Sequence, residues 1–265
     1  MKTLTKYVKK REKSTHSILG QPKQTFTPAT FHKLRVEIKK LNAFFSLLNF
    51  CATDFKRKKS FKPFKRLFRQ AGKVREIHVE EDMLKKNFNN TVLNEYKSSL
   101  KELRLQEQEI FFSMVNKKYA LKLKKAFNKL HPFLMSADKK NVTNYMEKKR
   151  MQILKFFNNK LQPDQLHDLR IRLKEYYYNR ESLDLSVTDE TIQKKDILPD
   201  LLGEWHDCHV IIKHHQKAMD TGEINGKELN QLKKIKAKFT SDSKVLLNKI
   251  SLALPKSALS LAKNG

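Results

Sequence analysis

Glycine and proline are scarce in this chain, six and seven among 265 residues. A turn-rich all-β fold would need more of both. Cysteine is scarcer still. Cys51 and Cys208 are too few for a disulfide framework, so reduced thiols in a cytoplasm are expected. No run of about 18 apolar residues occurs, so no transmembrane helix is expected. Met1 to Gly20 are rich in Lys and Arg but lack the continuous apolar stretch of a secretory signal. Carboxylates are in deficit as well: 28 Asp and Glu face 56 Lys and Arg, a formal charge of +28 at pH 7.

What the chain does have is a core. Hydrophobic residues make up 39% and include 17 Phe, which argues against wholesale disorder. A surplus of positive charge opposes compaction by self-repulsion. Either it is a solvated Lys-rich surface, or it serves a polyanion: nucleic acid, an anionic membrane or another phosphate polymer.

Residues 1–29 read as a basic, irregular arm holding KKREK, Gly20, Pro22 and Pro28. From Thr30, a plausible N-cap, the pattern turns helical, with Leu34, Ile38, Leu41, Phe45 and Leu48 at three- and four-residue steps. Further helices are expected over Phe61–Ala71 and from Val74 to Phe88. Leu93–Leu130 reads as two helices joined near Asn116–Lys118. His131–Lys140 reads as a linker, and Val142–Asn159 as a helix that breaks around Pro163. Another helix starts near Gln165, a loop covers Ser182–Asp189, and helices fill most of Glu190–Asp220. TGEING (221–226) is a turn, and a last helix over Lys227–Leu254 is expected to stop at Pro255. No strand alternation stands out, so the class is all-α, a bundle.

The chain repeats itself. FHKLRVEIKKL, from Phe31, aligns with LHDLRIRLKEY, from Leu166, so that His32 meets His167, Arg35 meets Arg170 and Lys39 meets Lys174. Downstream, AGKVREIHV (71–79) aligns with LGEWHDCHV (202–210), pairing Gly72 with Gly203, Arg75 with His206 and Glu76 with Asp207. Two matched blocks in the same order suggest a tandem duplication. At about 100° per residue, His32, Arg35 and Lys39 form one stripe, opposite Leu34, Ile38, Leu41 and Phe45. His167, Arg170 and Lys174 form the same stripe opposite Leu169, Leu173 and Tyr176. A solvated face does not call for a repeated histidine. Arg supplies a planar fork of donors for phosphate oxygens, Lys a mobile point charge, and His one or two ring donors. The carboxylates Glu76 and Asp207 are expected to hold neighbouring basic side chains, and Gly72 and Gly203 to end a helix or permit close packing.

These blocks resemble the conserved histidine α-helical domain, the CHAD domain. Its first motif is similar to HKLRVEIKKLN from His32 and HDLRIRLKEYY from His167. Its second is similar to AGKVREIHV and LGEWHDCHV. The resemblance runs from about Phe26 to Leu254. It implies two tandem four-helix-bundle repeats with pseudo-twofold symmetry around a basic central channel: an arm over 1–25, a first repeat over 26–140 and a second over 141–265. It also implies non-catalytic binding of inorganic polyphosphate, in the cytoplasm and at polyphosphate granules. His32, Arg35, Lys39, Lys40, Arg75, His167, Arg170 and Lys174 carry over, with His206 at the place matching Arg75. The chain departs from the pattern at Asn42 and Tyr177, where the family has a basic residue, and at Glu175. Lys62, Lys65, Arg66 and Arg69 form a basic cluster at helical spacing that can supply the charge instead.

The alternative partner is nucleic acid, with Tyr176–Tyr177–Tyr178 as a stacking surface, although no zinc knuckle or RNA-recognition motif is present. HDCHVIIKHH, with His206, Cys208, His209, His214 and His215, matches no standard zinc spacing. No Walker loop or GxSxG appears. No catalytic residue, metal or cofactor is therefore expected. A membrane-surface role for Lys2–Lys13 is weak because the apolar face reads as sparse. The sequence leaves the oligomeric state open.

Overall fold

The computed structural model describes residues 2–87, 93–158, 161–184, 197–221, 224 and 226–263. Among them the chain is all helix, with no strand. The helices are α1 Lys2–Leu19, α2 Pro28–Cys51, α3 Arg57–Asn87, α4 Asn94–Met114, α5 Lys117–Asn128, α6 Lys139–Leu154, α7 Pro163–Ser182, α8 Leu198–Asp220 and α9 Gly226–Lys263. Short 3-10 turns cover Lys23–Thr25, His131–Ser136 and Lys155–Asn158.

Helix α2 is the hub. It packs against α1, α3, α6 and α7, and Leu34, Ile38, Leu41, Phe44, Phe45, Leu47 and Leu48 are fully buried. A helix so apolar over its second half belongs in an interior. Its start is set by Thr27 rather than Thr30. The Thr27 hydroxyl accepts from the Thr30 backbone N–H at 3.2 Å, and Thr30 closes a reciprocal capping box. Pro28 then occupies the first helical position, where a missing N–H costs nothing. The joint expected near Asn116–Lys118 is present: α4 ends at Met114, and the Asn116 side chain caps α5 through the Tyr119 N–H at 2.9 Å.

Three further expectations are corrected. The arm is not irregular, because Lys2–Leu19 is a helix that buries Leu4, Tyr7, Val8, Arg11, Thr15 and Ile18. Those positions form one helical stripe, and Arg11 and Thr15 interrupt its apolar character. Arg11 closes the gap by reaching Glu37 of α2 at 3.2 Å and Glu181 of α7 at 3.7 Å. The two stretches on either side of Gly72 are one 31-residue helix. Phe64, Leu67, Ala71, Val74, Ile77 and Leu84 bury a stripe that crosses the glycine without a break, and the roughly 1 kcal/mol cost of glycine does not outweigh it. Pro255 does not end α9 either. Ile250, Ala253, Ser257 and Leu261 stay buried across it, while Pro255 itself is exposed. Ser251, four residues before the proline, is exposed as well, so water can serve a carbonyl that the proline cannot.

The loop expected over Ser182–Asp189 is described only as far as Asp184, and its remainder lies outside the described residues. So do the Phe88 end of the third expected helix and half of the TGEING turn, positions 222, 223 and 225. Gly226 opens α9 with a φ of 61°, in the left-handed region that glycine adopts without strain.

A buried polar knot ties α3 to α8. The Glu80 carboxylate accepts from His214 Nδ1 at 2.8 Å and from the Tyr96 hydroxyl, with His215 Nε2 at 3.1 Å. Burial alone would raise Glu80, but these three partners outweigh it and hold the carboxyl down at about 2.

Candidate functional site

Helices α2, α3, α7 and α8 bring both motif rows into one electrostatic cluster. The opposite faces anchor them: Leu34, Ile38 and Leu41 on α2 and Leu169 and Leu173 on α7 are fully buried, with Tyr176 nearly so. The stripe opposite each is thereby fixed in direction.

Lys39 shows the convergence best. Its ammonium is brought down from 10.5 to about 7, by burial first and then by Lys174, Arg35 and Arg170, with Asp207 opposing. Two of those three cations belong to the second half of the chain. His32 is exposed, yet it too lies below its ordinary value, through partial desolvation and then Arg75, Lys39, Lys174 and Arg35. Lys174 is lowered by burial and then by Arg170. His206 is pushed down to about 3 by burial, then by Arg170, His167, Lys39 and Lys174. Its ring lies 5.1 Å from the His167 ring, centroid to centroid.

Each half also supplies one carboxylate to its own arginine. After burial, the strongest influence on Arg35 is Glu76, and on Arg170 it is Asp207. Asp207 itself is raised by burial while Arg170, Lys174, Arg75 and Lys39 pull it back. Two carboxylates among this many cations leave the cluster under-neutralised.

Arg35 is seated with care. Its Nη1 donates to the Phe68 carbonyl at 3.1 Å, and its guanidinium carbon stands 4.3 Å from the Phe68 ring centroid. A Cβ at Gly72 would lie 2.1 Å from that Nη1. Gly72 therefore does not end a helix; it leaves the guanidinium a place against α3. Gly203 has no such tenant, since nothing lies within 4 Å of the corresponding position. Arg170 Nε is buried with no hydrogen-bond partner.

The remaining expected residues divide. Arg75 joins the cluster through His32, Arg35 and Asp207, and its Nη1 is 3.9 Å from Asp82. Lys40 is not brought there. Its Nζ is 2.7 Å from Glu181 Oε2, beside Arg11 and Glu37, so it clamps α2 to α7. Lys65 and Arg69 line an adjoining cleft of about 520 Å³, which Lys39 shares with Arg57 and Lys58. The last two went unrecognised in the sequence, where they sit in a basic break with no helical phase to aim them. The tyrosines offer little for stacking: Tyr176 is buried, and Tyr177 and Tyr178 are half-buried.

The histidine-rich run of α8 is also dispersed. His214 and His215 turn to Glu80, His206 to the cluster, and His209 Nδ1 lies 3.1 Å from the Trp205 carbonyl oxygen. Cys208 is buried, its thiol raised to about 11 chiefly by that burial. Among the described residues no three His, Cys, Asp or Glu side chains are grouped so as to hold a metal. No helix among them is long and apolar enough to cross a membrane.

The family model of the CHAD domain matches residues 15–216, well over half of the chain. Among solved structures, the chain is similar to the crystal structure of the CHAD domain from the plant Ricinus communis. The TM-score is 0.72 and the identity 15%, over 95% of this chain and 88% of that one. At that identity the likeness is one of fold. No curated protein matches significantly.

Proposed function

This chain belongs to the CHAD domain family, and from that premise we propose that it binds inorganic polyphosphate without catalysis, between two helical repeats related by a pseudo-twofold axis. The observation that carries the reading is the meeting of the two His-Arg-Lys rows, with Lys174 and Arg170 of the second half acting on Lys39 of the first.

The physics favours a phosphate chain. Partly desolvated cations pressed together are costly, and the lowered values of Lys39, His32 and His206 register that cost. A polyanion relieves it. Polyphosphate has charge at every unit and no base to read, so binding is charge neutralisation and counterion release. By analogy with single strands, its affinity falls with salt at a slope near −0.7 per neutralised charge. Arg35 and Arg170 offer forked donors, Arg170 with an Nε still unpaired. A charged trough walled by protein also steers the polymer on approach. The site serves a soluble polymer met in the cytoplasm, including at polyphosphate granules.

Replacing His32, Arg35, Arg170 and Lys174 together by Ala is expected to weaken polyphosphate binding by roughly tenfold or more, about 1.4 kcal/mol, with helicity retained in circular dichroism. Affinity unchanged in a folded variant would refute the assigned site. Incubating the protein with polyphosphate and magnesium is expected to release no phosphate; release would make it an enzyme. Displacement of bound polyphosphate by single-stranded DNA at equal phosphate would favour the nucleic-acid reading.

A further inference from the structure

The first half of the chain carries a basic path that the motif residues do not account for. Lys39 belongs both to the cluster above and to the cleft lined by Lys65 and Arg69. Lys65 and Arg69 also line a second cleft, about 710 Å³, opposite Lys118 and Lys122 of α5. Lys118 and Lys122 in turn line a third, about 870 Å³, that continues past Lys125 and Lys129. Each cleft shares a wall with the next. No carboxylate lines the first two, and Asp54 alone lines the third.

The fold does not require this arrangement. Helix α3 packs through Phe64 and Leu67, and α5 through Leu123 and Phe127, all buried. Lys62, Lys65, Arg66, Arg69, Lys118 and Lys122 stand on the exposed faces. Two rows of cations facing each other across a groove repel one another, and only an anionic occupant turns that repulsion into attraction.

We propose that the groove between α3 and α5 is a track onto which a long inorganic polyphosphate runs from the central cluster. The inference rests on the proposed function and extends it, making chain length the property that the groove reads. The rings lining the clefts are already engaged within the protein, Phe68 by the Arg35 guanidinium. Phe61 packs on Phe45, Phe133 packs on Phe55, and the Tyr119 hydroxyl donates to the Pro63 carbonyl at 2.6 Å. A path dense in cations, whose rings are spent on packing contacts, fits a polymer without bases.

The test compares three variants of the full chain against tripolyphosphate and a polyphosphate of roughly a hundred units. The groove variant replaces Lys62, Arg66, Lys118 and Lys122 by Ala. The central variant is the fourfold one above. A control replaces the exposed Lys233, Lys234, Lys244 and Lys249 of α9, removing the same net charge elsewhere. The groove variant is expected to lose about tenfold or more in affinity for the long chain, to flatten its salt slope by roughly 2 to 3, and to bind tripolyphosphate as before. The central variant is expected to lose both ligands. If the central variant loses both while the groove variant keeps the long chain, the track is refuted and the central site stands. Equal loss of both ligands in the groove variant, or an equal loss in the control, refutes the track as well. So does a groove variant that loses single-stranded DNA but not polyphosphate. If the central variant loses neither ligand, the central site assigned under the proposed function fails, whatever the groove does; if the unaltered protein binds neither, the proposed function itself fails.

Discussion

An ammonium that titrates near 10.5 in a free chain sits at about 7 in Lys39, where burial and the charges of Lys174, Arg35 and Arg170 oppose its proton. In the free protein at pH 8 it is mostly neutral. A phosphate chain laid across it supplies the opposite charge, so binding must draw a proton from solution. Calorimetry at pH 8 in two buffers of different ionisation heat is expected to show net proton uptake that falls substantially in Lys39→Met. At pH 6 Lys39 is already charged, and the difference between the two proteins is expected to vanish. Equal uptake in both at pH 8 would remove Lys39 from the site. The linkage to folding has a definite sign. Between about pH 7 and 10.5 the unfolded chain holds a proton that the folded chain lacks, so this residue makes stability rise with pH over that window. The stripe that includes Lys39 was legible from residue spacing, because four apolar positions on the other side of α2 fix its direction. The seat of Arg35 over Gly72 was not. A glycine in sequence announces only that something needs room, and the tenant comes from another helix.

Helix α1 marks where legibility ended at the level of elements. Its stripe reads Leu4, Tyr7, Val8, Arg11, Thr15, Ile18, and an arginine and a threonine in the middle make it look like a solvated arm. Arg11 is 3% exposed and set against Glu37 and Glu181, so a partner distant in sequence decides its burial. Removing one member of such a buried pair leaves the other charge uncompensated. Arg11→Ala is expected to cost about 3 to 5 kcal/mol in urea unfolding. A companion variant, Arg11→Met with Glu37→Met, is expected to recover most of the loss, since two apolar side chains replace the pair. A loss under 1 kcal/mol in Arg11→Ala would mean that α1 is held by its apolar residues alone. The reverse holds at Gly72 and Pro255, where residues that usually interrupt helices lie inside them. In both places a buried stripe continues on each side, and burial over several turns outweighs a local cost of one to a few kcal/mol.

Net charge governs the molecule as a whole, and it gives salt two opposite effects. The free protein carries +28, and screening its self-repulsion stabilises the compact state. Its Tm is therefore expected to rise as sodium chloride goes from 50 to 300 mM. A polyphosphate that binds only the folded chain adds stability by mass action, about 2.7 kcal/mol at a hundred times its Kd, or roughly 5 to 10 °C at this chain length. That increment is expected to shrink over the same salt range, because each neutralised charge weakens binding as salt rises. The two curves, free and bound, should converge. Thermal unfolding of the protein with and without a fixed polyphosphate concentration measures both at once. An increment indifferent to salt would mean that the polymer is held by something other than charge. The meeting of the His32–Lys39 and His167–Lys174 rows would then be a feature of packing, and the reason for gathering so many cations in one protein would have to be sought away from that cluster.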